Sequence, residues 1–111
     1  MNIHTRMVGK VTILELKGEL LVGEAEQIFR DRIEKLRDAD TRNLAVNLAS
    51  VTKLDSSGIG ALVHAFASFR KAGGKCRFYA APKHVKQLLK MVMLDTVLDL
   101  AEDEASALAK F

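Results

Sequence analysis

The sequence predicts an α/β fold: a mixed, mostly parallel sheet with helical cover, in the order β-β-α-β-α-β-α-β-α. Two observations carry that expectation. Short runs rich in strand-forming residues alternate, beyond an initial hairpin, with longer segments whose apolar residues recur at helical spacing. Parallel strands need such crossovers, which are right-handed and lay their helices over the sheet. A third observation concerns size. With 111 residues, 49% hydrophobic and 28% charged, folding buries roughly two-thirds of the unfolded surface. That supports a core without disulfides or metal. No repeat, low-complexity tract or linker divides the chain, so a single domain over residues 1–111 is expected.

Each element has its own signature. Ile3, Thr5 and Met7 alternate with polar neighbours, Gly9-Lys10 signals a turn, and Val11–Leu16 is rich in strand formers, which together predict an antiparallel hairpin. Gly18 is expected to break the second strand. From Glu24 to Asp38, Ala25, Ile28, Phe29, Ile33 and Leu36 form one helical stripe, with Arg30, Asp31, Glu34 and Lys35 on the opposite face. Leu44–Ala49 reads as a strand buried on both faces. A second helix is expected from about Ser57 to Ala72, with Ile59, Leu62, Val63, Phe66 and Phe69 inward and Gly73-Gly74 ending it. Cys76–Ala80 is the next strand. Pro82 starts a third helix with Val85, Leu88, Leu89 and Val92 on one face. Thr96–Leu100 reads as a final strand and Glu102–Lys110 as a final helix.

Composition narrows the function classes. No apolar run approaches the roughly 20 residues of a membrane-spanning helix, and Met1–Lys10 lacks the apolar region of a signal peptide. One cysteine, Cys76, permits no internal disulfide, so a reducing cytoplasm is expected without membrane insertion. The net charge is +3, yet charges of both signs are interspersed and aromatic residues are few. Lys83, His84, Lys86 and Lys90 therefore read as a solvated helix face, and no direct nucleic-acid contact is expected.

The stretch Val51–Leu62 joins a buried strand to a helix. In open α/β sheets, ligands and partners meet the protein at the carboxyl ends of strands. Asp55, Ser56 and Ser57 all have the short polar side chains that cap helices. Gly58 and Gly60 leave the first turn bare for close approach. An ordinary cap with glycines for helix–sheet packing accounts for this pattern; so does a serine that accepts phosphate, since exposed amides at a helix start favour anions. A phosphate there acts on a partner through charge and bulk.

Leu54-Asp55-Ser56-Ser57-Gly58-Ile59-Gly60-Ala61-Leu62, preceded by Leu44–Ala49, resembles the phosphorylation motif of the STAS domain, and in particular of the bacterial anti-sigma factor antagonists. The similarity extends to Lys17-Gly18-Glu19-Leu20, to Gly73-Gly74 and to the helix from Pro82 to Leu89. It implies that Ser56 accepts phosphate from a serine kinase that is itself an anti-sigma factor. It also implies that the unphosphorylated form binds this kinase and that a serine phosphatase resets Ser56. Asp55, Ser57, Gly58 and Ile59 then belong to the partner-binding surface. The chain departs from the family where an aspartate commonly follows Gly-Glu-Leu: Leu21 stands there, and Glu24 is the candidate for its role. Two other readings are a STAS subunit of a larger sensory or lipid-transport complex, and a small-ligand or nucleotide-binding domain.

No enzyme, cofactor or metal signature emerges. His4, His64 and His84 are scattered, neither serine sits in a nucleophile elbow, and no Walker or dinucleotide glycine pattern occurs. His64 reads as a partly buried helix residue, Cys76 as a small buried hydrophobe in an interior strand, and Met91 and Met93 as core packing.

Overall fold

Alternation along the strands decides what each side of the sheet is buried against. In the computed structural model, which describes residues 1–111, β1 (Asn2–Val8) and β2 (Val11–Leu20) form the expected antiparallel hairpin. β3 (Asn43–Leu54) and β4 (Lys75–Tyr79) add in parallel, giving the order β1-β2-β3-β4. α1 (Glu24–Asp38) and α2 (Ser56–Lys71) are the crossovers, and α3 (Lys83–Met91) and α4 (Glu104–Leu108) follow β4.

Leu14 and Leu16 of β2, Leu44, Val46 and Leu48 of β3, and Cys76 and Phe78 of β4 point to one face. There they meet Phe29 and Ile33 of α1, Leu62, Ala65 and Phe69 of α2, and Val85 and Leu89 of α3. Fully burying a Leu or Phe side chain contributes about 1.5–3 kcal/mol, so this face holds most of the stability. The reverse face is covered more thinly. Ile13, Ala45 and Tyr79 pack there with Ala107 of α4. Glu104 fastens α4 to the sheet: its carboxylate accepts from the Tyr79 hydroxyl at 2.9 Å and from Arg6.

Several expectations are corrected. β2 runs past Gly18 to Leu20 with a shift of register, and β3 continues to Leu54 instead of ending at Ala49. Asn47 pairs with Glu15 but Ser50 with Lys17, and Val51 pairs with Gly18 but Lys53 with Glu19, so β3 carries an extra residue twice. Such bulges kink a strand without ending it. Thr96–Leu100 is no strand. Hydrogen bonds from Leu98 N to Leu94 O and from Asp99 N to Thr96 O coil it into turns, and a single parallel bridge, Tyr79 to Ala101, stands where the fifth strand was expected. β4 is accordingly an edge strand, although Cys76 is 1% exposed beneath α2, and its burial pushes the thiol pKa up.

Met91 and Met93 are not core residues: they are 78% and 79% exposed. α3 stops at Met91, and the positive φ of Met93 turns the chain. Leu94, whose N–H bonds Leu89 O at 2.8 Å, packs on the core in their stead. For the same reason Val92 is exposed rather than inward. No helix is long and apolar enough to cross a membrane.

Candidate functional site

The extension of β3 to Leu54 sets the site, because α2 begins two residues later. Asp55 is the N-cap, in extended backbone conformation. Its Oδ1 accepts from Gly58 N at 2.8 Å, the bond expected of a cap. Its Oδ2 accepts from Val22 N, also at 2.8 Å. One carboxylate thus caps α2 and pins the β2–α1 connection beside it. The Val22 and Gly58 amides hold the Asp55 carboxyl below its usual range, since donors to the charged form favour ionisation.

Ser56 opens α2 and is exposed. It lines none of the surface cavities. Asp55 rather than Ser56 supplies the cap, so the Ser56 hydroxyl is not needed to finish the helix. Ser57 and Ile59 are half-buried, and Ile59 leans on the main core. Gly58 differs from the expected docking residue. It is buried, and a Cβ there would run into the Leu20 carbonyl oxygen and come within 2.7 Å of Leu54 Cδ1. Its bareness serves the domain's own backbone, letting α2 sit against the end of β2.

Glu24 is exposed at the start of α1, where with Met1, Glu19, Leu21, Val22 and Ala25 it lines a shallow depression of about 360 Å³. The structure therefore groups Asp55, Ser56, Ser57 and Gly58 in one turn. Glu24 lies on the adjoining connection, which Asp55 joins to that turn through Val22. At the same end of the sheet, Lys53 Nζ lies 3.2 Å from Glu19 Oε2. His84 at the start of α3 bonds Thr52 O at 2.9 Å through Nε2.

Arg30 was expected among the solvated residues of α1. It is instead half-buried: Nε donates to Glu26 Oε2 at 2.9 Å, one helical turn back. Its Nη2 lies 3.6 Å from where a Cβ on Gly60 would stand. The spacing of Glu26 and Arg30 was the available signal. The landing point on α2 depends on how the helices pack, and no local pattern reports that. His64 is half-buried in α2, as expected. Among His, Cys, Asp and Glu, no group of three is arranged to hold a metal ion.

The STAS domain family model matches residues 2–107. Among solved structures, the Thermotoga maritima protein TM1081, a candidate anti-sigma factor antagonist, superimposes with a TM-score of 0.90 at 20% identity, covering 97% of this chain and 92% of that one. An anti-sigma factor antagonist from Mycobacterium paratuberculosis gives 0.85 at 18% identity, covering 98% and 92%. SpoIIAA, an anti-sigma factor antagonist of Bacillus solved unphosphorylated and phosphorylated, gives 0.76 and 0.73 at 17% and 16% identity. These cover 93% of this chain in each case, and 89% and 92% of the SpoIIAA chains. At such identities the likeness speaks to the fold.

Proposed function

This chain belongs to the STAS domain family, and from that premise we propose that it is a phosphorylation-controlled anti-sigma factor antagonist whose acceptor is Ser56. In this reading it is a cytoplasmic binding module and not an enzyme. The unphosphorylated form docks on an anti-sigma factor serine kinase through Asp55, Ser57 and Ile59 around Ser56, with Gly58 shaping the turn from beneath, and through the adjoining connection near Glu24. A serine phosphatase restores that form. The structural neighbours named as anti-sigma factor antagonists support the general role.

The observation that carries the reading is the exposure of Ser56 beside a carboxylate that is already committed. Both Asp55 oxygens are engaged by backbone N–H groups, so the turn keeps its shape whatever is attached to the neighbouring oxygen. In the transfer, Ser56 Oγ bonds the γ-phosphorus of ATP as the β–γ bridging bond breaks. The hydroxyl proton passes to a base of the kinase, and ADP leaves. The product carries about −1.5 to −2 charges. Two unit charges about 4 Å apart near a protein surface repel by roughly 4 kcal/mol. One opposing carboxylate on the partner is then enough to lower affinity several hundredfold.

The test pairs two variants with a mass measurement. Ser56→Ala should bind the kinase and gain no phosphate, and Ser56→Asp should bind at least tenfold more weakly. The wild-type chain incubated with ATP and the kinase should gain ~80 Da, the mass of one phosphoryl group. Binding of Ser56→Asp as tight as the wild type would overturn the repulsion mechanism.

A further inference from the structure

Ser56 and Gly60 are four residues apart on α2, one above the other on a single face, with about 5–6 Å between Cβ positions. Helical Cα–Cβ bonds lean toward the N-terminus, so the Cβ position of residue 60 points toward the Ser56 turn. Arg30 Nη2 lies 3.6 Å from the Gly60 Cβ position. Because residue 60 has no side chain, it puts no obstacle of its own in the way of a guanidinium reaching from there toward Ser56. We propose that Arg30 is an internal clamp for the phosphorylated form of Ser56, a role that rests on reading Ser56 as the acceptor.

The chemistry suits the residue. A guanidinium presents several N–H donors in a planar fork matched to phosphate oxygens, and its charge persists at any physiological pH. In the unphosphorylated chain Arg30 is ion-paired with Glu26, their side chains 29% and 22% exposed. A dianion on Ser56 is a stronger competitor for that cation than a single carboxylate. Arg30 then turns its fork from Glu26 to the phosphate, and the Glu26 carboxylate loses its partner. Phosphorylation thus does two things at once. It fixes the phosphate over the first turns of α2, where the partner is proposed to dock, and it leaves an unpaired carboxylate on the neighbouring helix. Exchange of partners by one arginine links α1 to the state of Ser56 without moving the backbone.

The test uses the full chain with phosphoserine placed at position 56 by genetic encoding, so that no kinase is required. Phosphorus NMR then follows the second phosphate ionisation, ordinarily near pH 6. A paired cation lowers this pKa; Asp55 acts in the opposite sense but equally in every variant. Arg30→Gln should raise the pKa by about half a unit or more, and Arg30→Lys should restore part of the difference. Glu26→Gln, which removes the competing carboxylate, should lower it below the wild type. Identical titration of the wild type and a folded Arg30→Gln overturns the clamp. If circular dichroism shows Arg30→Gln unfolded, Glu26→Gln decides, and an unchanged pKa there overturns it equally. Whether a kinase phosphorylates Ser56 is read separately from the intact mass after treatment with ATP and kinase, so failure of one idea is not mistaken for failure of the other.

Discussion

Asp55 and Gly58 show how few atoms position the exposed serine. Gly58→Ala should cost about 1–3 kcal/mol in denaturant unfolding, because the new methyl group overpacks against the Leu20 carbonyl and Leu54. An unchanged midpoint would mean that α2 shifts freely off the end of β2. Asp55 makes the same neighbourhood sensitive to acid. Its pKa in the folded chain lies below the ordinary 3.8, chiefly through the Val22 amide and then Gly58. A depressed carboxyl contributes its stability above the unfolded pKa and loses it as pH falls through the folded one. Thermal unfolding from pH 6 down to pH 2 should therefore show wild type losing stability below about pH 4. Asp55→Asn should lose less over the same interval. Asp103, lowered by the Ser106 amide, and Glu104, lowered by Arg6 and then Tyr79, add to the wild-type slope and remain in the variant. The comparison thus isolates the site. A cap among Asp55, Ser56 and Ser57 was legible in the sequence, since short polar residues before a helix bond its first amides. The second bond, to Val22, was not: it spans 33 positions, and only the parallel pairing of β2 with β3 brings them together.

At the scale of elements, legibility followed periodicity. α1 spans the expected Glu24–Asp38, and the hairpin turns at Gly9-Lys10. β3 was read too short because its period changes: Ala49-Ser50 and Thr52-Lys53 are exposed pairs beside the extra residues, which erases strict alternation. Asn47 Oδ1 accepts from Ala49 N at 2.9 Å at the first of these places, a local bond between neighbours two apart. Thr96–Leu100 failed in the other direction. Its alternating apolar residues imitate a strand, yet Val97 is 52% exposed and only Leu98 is buried. The face of α2 was partly misjudged as well, since small residues line its centre: Gly58, Ala61 and Ala65 are buried while Ile59, Val63 and Phe66 lie at its margins. α4 offers a prediction at this scale. Its docking rests on Glu104 contacting Tyr79 and Arg6. Glu104→Ala should accelerate amide exchange across residues 104–108 while the β2 and β3 amides stay protected. Equal acceleration throughout would show that α4 and the sheet open as one unit.

The whole molecule divides its labour between the two sides of the sheet. Three helices and the larger apolar cluster make one side the source of stability, and the site stands at the end of that layer, where β3 passes into α2. Leu62→Ala, a buried truncation inside α2, should cost about 2–5 kcal/mol. Urea unfolding checks this, and a loss below 1 kcal/mol would mean that the cluster repacks around the gap. The far side is largely bare and polar around Asn2, His4, Glu15, Lys17 and Asn47, which line a depression of about 530 Å³.

The lone bridge at Ala101 has a consequence for how copies of this chain tolerate one another. A parallel sheet with a free outer strand offers a template on which a neighbouring molecule can continue the ladder. Here Ala101 takes the amide of Ala80 and gives its own to the carbonyl of Phe78, filling the last rungs of β4. Lys75 and Arg77 place charge along the remainder of that border. A stub of backbone, far shorter than a strand, thus blunts one end of this border against pairing with another copy.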